Sequence, residues 1–207
     1  TRCRDRYQFD QNHDPSELRQ RRVCHANPAS IGAVLESRQG ATLIIVTHQR
    51  LRVLAKQIEY YSKSPLVVAI VVIWNALEAD PPRKAIVNGV TVRFVVPEVD
   101  SFNSRYNPSL QITTTCVLTV DDEIKEHLRD LLNLYVAWQH NQEHLVGFIP
   151  RGISFKDEPD GVVSVRYEED ETQYSQRQGY GMVLSKAIIM HRRYLWLYTC
   201  NDESHDA

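Results

Sequence analysis

Apolar and polar positions alternate in blocks along the chain, and the blocks have two lengths. Short runs dense in Val and Ile occupy residues 41–46 (ATLIIV), 67–74 (VVAIVVIW), 90–96 and 116–120. Each is short enough for a buried strand and too short for a core helix of its own. Between the first two, Leu51, Leu54, Ile58 and Tyr61 recur at helical spacing, which predicts a helix over 51–61. Ser64-Pro65 ends it. A second helix is expected over 124–140, carrying Leu128, Leu131, Leu132, Tyr135 and Trp138. Residues 145–149 read as a strand, and 151–179 as a charged, loop-rich stretch with a hairpin strand at 162–167. Residues 181–184 read as a strand or strand-like turn, and 187–198 as a helix. Residues 1–40 are polar, Arg-rich from Glu17 to Arg22, and read as an arm before a domain spanning 41–207.

The early β-α-β-β order, with buried strands, implies an α/β domain with a mostly parallel central sheet covered by helices. In such sheets ligands bind beyond the carboxyl ends of the strands. Three polar groups follow apolar strands in that manner: Thr47-His48-Gln49-Arg50, Asn75, and Asp121-Asp122-Glu123.

Composition narrows the chemistry. A formal charge of -2 gives no global field favouring nucleic acid. The longest apolar run, 65–74, is about half the ~20 residues of a spanning helix. The first ten residues carry three Arg and no apolar core, unlike a secretory leader. The four cysteines, Cys3, Cys24, Cys116 and Cys200, form no C-x-x-C or zinc-like spacing. Cys116 reads as a small buried residue. For Cys3 and Cys24 a bridge and free thiols both stay open. No Walker loop, G-x-G-x-x-G or G-x-S-x-G elbow is present, so kinase, dehydrogenase and hydrolase readings lack a motif. His127, His140 and His144 read as surface residues.

The acidic triplet carries the strongest chemical signal. Three consecutive acids directly after a buried strand repel one another, and a bound cation or solvent relieves that repulsion. Mg²⁺ and Mn²⁺ prefer carboxylate oxygens and substrate phosphates, so a metal there would join carboxylate to diphosphate. The alternative is an acidic first turn of the following helix, favoured by its dipole. Arg50, Asn75 and Arg105 carry similar pairs of readings: a ligand contact, or a solvated Arg and an Asx turn.

Taken in order, several segments resemble the exostosin-like glycosyltransferases, the α-1,4-N-acetylhexosaminyltransferase domain of heparan-sulfate polymerising enzymes and plant relatives. They are residues 42–50 (TLIIVTHQR), 70–75 (IVVIWN), 100–108 (DSFNSRYNP), 117–123 (VLTVDDE), 146–151 (VGFIPR), and 181–187 (GMVLSKA) running into 194–198 (YLWLY). The resemblance implies a GT-A fold and retention of anomeric configuration. It implies a UDP-sugar donor, usually UDP-N-acetylglucosamine or its galactosamine epimer, with Mn²⁺ or Mg²⁺, and a glycan or glycolipid acceptor. It further implies the lumen of the Golgi or endoplasmic reticulum, a type II membrane anchor in the full-length protein, and a homodimer or a complex with a related transferase. By the same resemblance Val46, Arg50, Asn75, Asp100, Asn103, Arg105, Asp121 and Asp122 match donor-site positions. Glu123 matches the direct metal ligand, with Asp121 beside it.

Three positions depart from the family pattern. Glu123 stands where Asp is usual and moves its carboxylate by one methylene. Asp100 stands where an Asn commonly contacts the donor, with Asn103 as its substitute. Val46 replaces a residue that is polar in some members. The family also continues to an acidic segment near the C-terminus that supplies a catalytic-site acid. Residues 200–203 (CNDE) follow Tyr198 closely, which leaves Asp202 as the nearest candidate and a domain cut short as the expectation. Active transferase, nucleotide-sugar-binding or partner-binding module without transfer, and α/β interaction domain are therefore the three readings carried forward.

Overall fold

A computed structural model describes residues 38–157, 163–168 and 182–200. The chain runs β1 (Arg38–Thr47), α1 (Leu51–Tyr61), β2 (Val67–Trp74), β3 (Ala85–Val87), β4 (Val90–Val95), two 3-10 turns (Phe102–Tyr106 and Pro108–Leu110), β5 (Thr114–Asp121) and α2 (Leu128–His140). It continues through β6 (Val146–Gly147), β7 (Pro150–Asp157), β8 (Val163–Glu168), β9 (Met182–Val183), β10 (Ala187–His191) and α3 (Arg193–Cys200). Residues 1–37 of the expected arm, with the Arg-rich stretch, Cys3 and Cys24, lie outside the described residues, as does Asp202, while residues 38–40 of that arm already belong to β1.

Seven strands form the main sheet in the order β3-β4-β2-β1-β5-β10-β6. Its centre is parallel: β1 pairs with β2 and β5, and β2 with β4. β3 and β10 run antiparallel to it at the two sides, and β6 pairs antiparallel with β10 at the edge. The α/β class with a mostly parallel sheet is thus the observed one. A smaller sheet, β8-β7-β9, stands beside it.

The Val- and Ile-rich runs become central strands because both sheet faces are covered. Leu43 and Ile45 of β1 face a core shared with Leu54, Ile58 and Tyr61 of α1 and Leu131, Leu134 and Trp138 of α2. Ile44 and Val46 face the other side, against Leu110, Ile112, Met190 and Leu195. Cys116 is free and buried in the first of these cores, and burial pushes its thiol pKa upward.

Three expectations need correction, and one element was not anticipated. Residues 187–191 are a strand, not the first half of a helix. Ala187, Ile188, Ile189 and Met190 are buried in succession, which one helix face cannot achieve, and they pair antiparallel with β5. The helix starts only at Arg193. The second helix starts at Leu128, not Ile124. The Ile124 carbonyl is taken by Gln57 and Tyr61, and the Glu126 amide donates to Tyr61, so these groups serve contacts outside a helix. Residues 85–87, passed over in the sequence, form a hairpin with β4 through Asn88 (φ 49°) and Gly89 (φ 80°). An Asn-Gly pair is the usual carrier of that two-residue turn. Residues 151–157, expected as loop, are strand β7.

Candidate functional site

β1 lies between β2, reached through α1, and β5, which is added on its other side. The side on which strands are added therefore switches between β1 and β5, where loops diverge and leave a crevice at the strands' carboxyl ends. The three polar groups all emerge at those ends. The β1–β2 ladder extends one step further, with the Asn75 amide donating to the Thr47 carbonyl at 2.9 Å. Gln49, at φ 57°, turns the chain so that Arg50 stands at the start of α1.

The three neighbouring acids occupy three different environments. Asp122 is 2% exposed; its Oδ2 accepts from the Thr47 hydroxyl at 2.7 Å and its Oδ1 pairs with Arg50 at 2.9 Å. Asp121 accepts from Arg105 Nη2 at 2.7 Å. Glu123 is half exposed, with Arg50 3.8 Å from Oε2 and Lys186 3.5 Å from Oε1. Each carboxylate thus faces at least one cation, which offsets their mutual repulsion.

The triplet does not cap α2, because residues 123–127 separate Asp122 from the first helical position, Leu128. The helix-dipole explanation therefore loses its geometry. Instead α1 holds the turn. Gln57 Nε2 donates to the carbonyls of Asp122 (3.1 Å) and Ile124 (2.9 Å). The Tyr61 hydroxyl donates to the Ile124 carbonyl and accepts from the Glu126 amide, both at 3.0 Å. Burial pushes the Tyr61 pKa up to about 12, which keeps the donor hydroxyl protonated.

Beside the triplet lies a cleft of about 290 Å³, lined by Val46, Thr47, His48, Arg50, Asn75, Asp100 and Phe102. Asn75 is buried; its Nδ2 donates to the Ser101 carbonyl at 3.1 Å, and its Oδ1 has no hydrogen-bond partner among the described residues. That orphan acceptor is costly unless a ligand or water satisfies it. Asp100 faces His48 at 3.4 Å, both exposed.

The structure therefore brings Val46, Arg50, Asn75 and Asp100 into one cleft, and Arg50 joins that cleft to Asp122 and Glu123. Arg105 and Asn103 are placed differently. Arg105 is 2% exposed, and its fork donates to the Phe102 carbonyl, the Ser185 carbonyl and Asp121. It meets the site through Asp121. Asn103 accepts from the Tyr198 hydroxyl at 3.1 Å and is not among the residues lining the cleft. Sequence reasoning missed Gln57, Tyr61 and Lys186 as parts of the site. A polar Gln inside the apolar stripe of α1 was the one available signal.

Among the described residues no group of three or more His, Cys, Asp or Glu side chains converges as a metal cage. The donor set fits a different arrangement. Mg²⁺ and similar hard cations are commonly held by one or two carboxylates together with substrate phosphates and water. Glu123, half exposed at the mouth of the site, fits that role; Asp122, closed off by Thr47 and Arg50, does not.

The model of the glycosyl transferase family 64 domain matches residues 41–206. A Caenorhabditis elegans protein named exostosin-like-3 homolog is 28% identical over 163 residues, covering 78% of this chain and 19% of its own length. Glycosylinositol phosphorylceramide mannosyl transferase 1 of Arabidopsis thaliana is 27% identical, covering 79% of this chain and 52% of its own. Glucosamine inositolphosphorylceramide transferase 1 of the same plant is 34% identical, covering 74% and 19%. The chain thus spans about half the length of one of these relatives and about a fifth of the others. No helix among the described residues is long and apolar enough to cross a membrane.

Proposed function

The chain belongs to glycosyl transferase family 64, and from that premise we propose that it transfers N-acetylglucosamine from a UDP-sugar to a glycan or glycolipid acceptor, with retention of configuration. The observation that carries this reading is Arg50: one side chain lines the cleft and also pairs with Asp122 and Glu123 at the switch point of the sheet. The nucleoside sits in the cleft, where Asn75 Oδ1 accepts from it and Val46 and Asp100 bound it. Asp121 faces the ribose and sugar, and Asp122, closed off by Thr47 and Arg50, serves the donor by holding Arg50 beside the cleft. Arg105 keeps Asp121 turned to the site.

The family reading calls for Mn²⁺ or Mg²⁺. Glu123 would hold the ion, with Asp121 as the second carboxylate, and the charge it supplies when bound neutralises the departing diphosphate. Arg50 adds fixed positive charge on the same side. Two relatives carry inositolphosphorylceramide in their names, which supports a glycolipid among the acceptors to be tried. The lumen of the Golgi or endoplasmic reticulum is the compartment that accompanies this reading.

The test is donor turnover. UDP-N-acetylglucosamine with Mn²⁺ is offered with glycan and glycolipid acceptors, and transferred sugar is measured beside calorimetric binding of UDP. Transfer, lost together with UDP binding in the Asp122→Ala/Glu123→Ala double variant, is expected. UDP binding without transfer to any acceptor or from any sugar would overturn the transferase reading. Binding that survives the double variant would overturn the site.

A further inference from the structure

Glu123 is contacted by two cations, and only one of them, Arg50, was legible from the sequence. The other comes from the turn between β9 and β10. Its backbone is fixed there: the Lys186 carbonyl accepts from the Asp121 amide at 2.9 Å, and the neighbouring Ser185 carbonyl accepts from both Arg105 and Thr119 at 3.0 Å. The Lys186 side chain is 46% exposed and its Nζ lies 3.5 Å from Glu123 Oε1, while Arg50 approaches Oε2 at 3.8 Å. Each oxygen of the exposed carboxylate therefore faces a different cation.

Pairs this exposed add little to folding, because solvent screens them and both side chains lose freedom. The arrangement has a sharper chemical consequence. An ammonium on a flexible four-carbon stem is a mobile point charge and a good phosphate partner. A diphosphate carries more charge than one carboxylate, so the ammonium gains by exchanging Glu123 for a phosphate oxygen. That exchange frees Glu123 at the moment a cation is needed beside the same diphosphate. The departure from Asp to the longer Glu at this position extends the carboxylate toward the exposed ammonium.

We propose that Lys186 is a diphosphate-binding residue of the donor site that occupies Glu123 until the nucleotide arrives. It does two things with opposite signs: it competes with a divalent cation for Glu123 in the free protein, and it adds affinity for the diphosphate that needs no metal. This rests on the nucleotide-sugar reading above.

The experiment measures two affinities in the wild type and in Lys186→Ala: UDP in the presence of a chelator, and Mn²⁺ in the absence of nucleotide. In the variant, metal-free UDP binding is expected to weaken about tenfold, the usual scale for losing a charge-assisted hydrogen bond. Mn²⁺ binding to the free protein is expected to strengthen severalfold, and Lys186→Arg restores the UDP affinity. A merely structural role for Lys186 would weaken both affinities together, and that result overturns the proposal. So does UDP binding that is unchanged in Lys186→Ala, or a wild type that binds UDP only with Mn²⁺; these leave the nucleotide-sugar reading intact. A wild type that binds no UDP under either condition overturns that reading as well.

Discussion

The Thr47 hydroxyl, at the end of β1, donates to Asp122 Oδ2, just past the end of β5, at 2.7 Å. The bond spans the switch point and involves two side chains that are each 2% exposed. A carboxylate buried this far depends on every donor it has, because water cannot replace one that is lost.

Thr47→Val is the near-isosteric test of that dependence. It removes the donor and keeps the shape, leaving one Asp122 oxygen unsatisfied. Stability is expected to fall by about 1–3 kcal/mol, read by urea unfolding. UDP affinity with Mn²⁺ falls with it, because Asp122 then relies on Arg50 alone. A variant as stable as the wild type would mean that Asp122 does not need Thr47.

Arg105 supports a prediction about geometry rather than charge. Its three contacts lie on three separate segments: the Phe102 carbonyl, the Ser185 carbonyl and Asp121. A planar fork reaches all three at once, and an ammonium does not. Arg105→Lys should therefore retain the charge opposite Asp121 and still destabilise the fold. Arg105→Met, which leaves Asp121 without its cation, should cost about 3–5 kcal/mol. Thermal unfolding of the two variants orders them as wild type, Lys, Met; a Lys variant equal to the wild type would show that only charge matters there.

Much of this arrangement was legible in the sequence. The runs at 41–46, 67–74 and 116–120 are β-branched and continuous because their strands are buried on both faces, and the triplet after the last of them was visible as a chemical anomaly. The run at 187–190 was not separable from the apolar helix behind it, since a short buried strand and a helix segment look alike without their neighbours. Pairing with β5 decides the matter, and pairing is not local. The same holds for Gln57 and Tyr61. Their periodicity says that they are buried, but not that they meet carbonyls some 65 residues further along the chain. Asn88-Gly89 is the opposite case: its turn signal was present and local.

Gln57 allows positioning to be separated from stability. Its Nε2 holds two carbonyls of the triplet turn, while its Oε1 is buried without a partner among the described residues. Gln57→Leu removes two donors and one unsatisfied acceptor together. The stability change is therefore expected to stay within about 1 kcal/mol. The Ile124 carbonyl keeps Tyr61, but the Asp122 carbonyl loses the donor that fixes it, so UDP binding with Mn²⁺ should weaken several-fold. Gln57→Glu, which sets a carboxylate against the same carbonyls, should lower both. Unchanged nucleotide affinity in Gln57→Leu would remove α1 from the site.

His191 ends β10, and its Nδ1 accepts from the Arg193 amide at 3.0 Å, at the entry to α3. Burial, with Arg192 as the second cause, lowers its pKa below the ordinary value of 6.5. The folded protein therefore resists protonation that the unfolded chain accepts. The contribution to stability is complete above pH 6.5 and is lost as pH falls below it, because the unfolded state then binds the extra proton. Protonation of Nδ1 also removes the acceptor for the Arg193 amide. His191→Asn retains an acceptor at the equivalent position and does not titrate. Urea unfolding between about pH 7.5 and pH 5 should show a steeper loss of stability in the wild type than in this variant. Parallel slopes would assign the acid sensitivity to other groups.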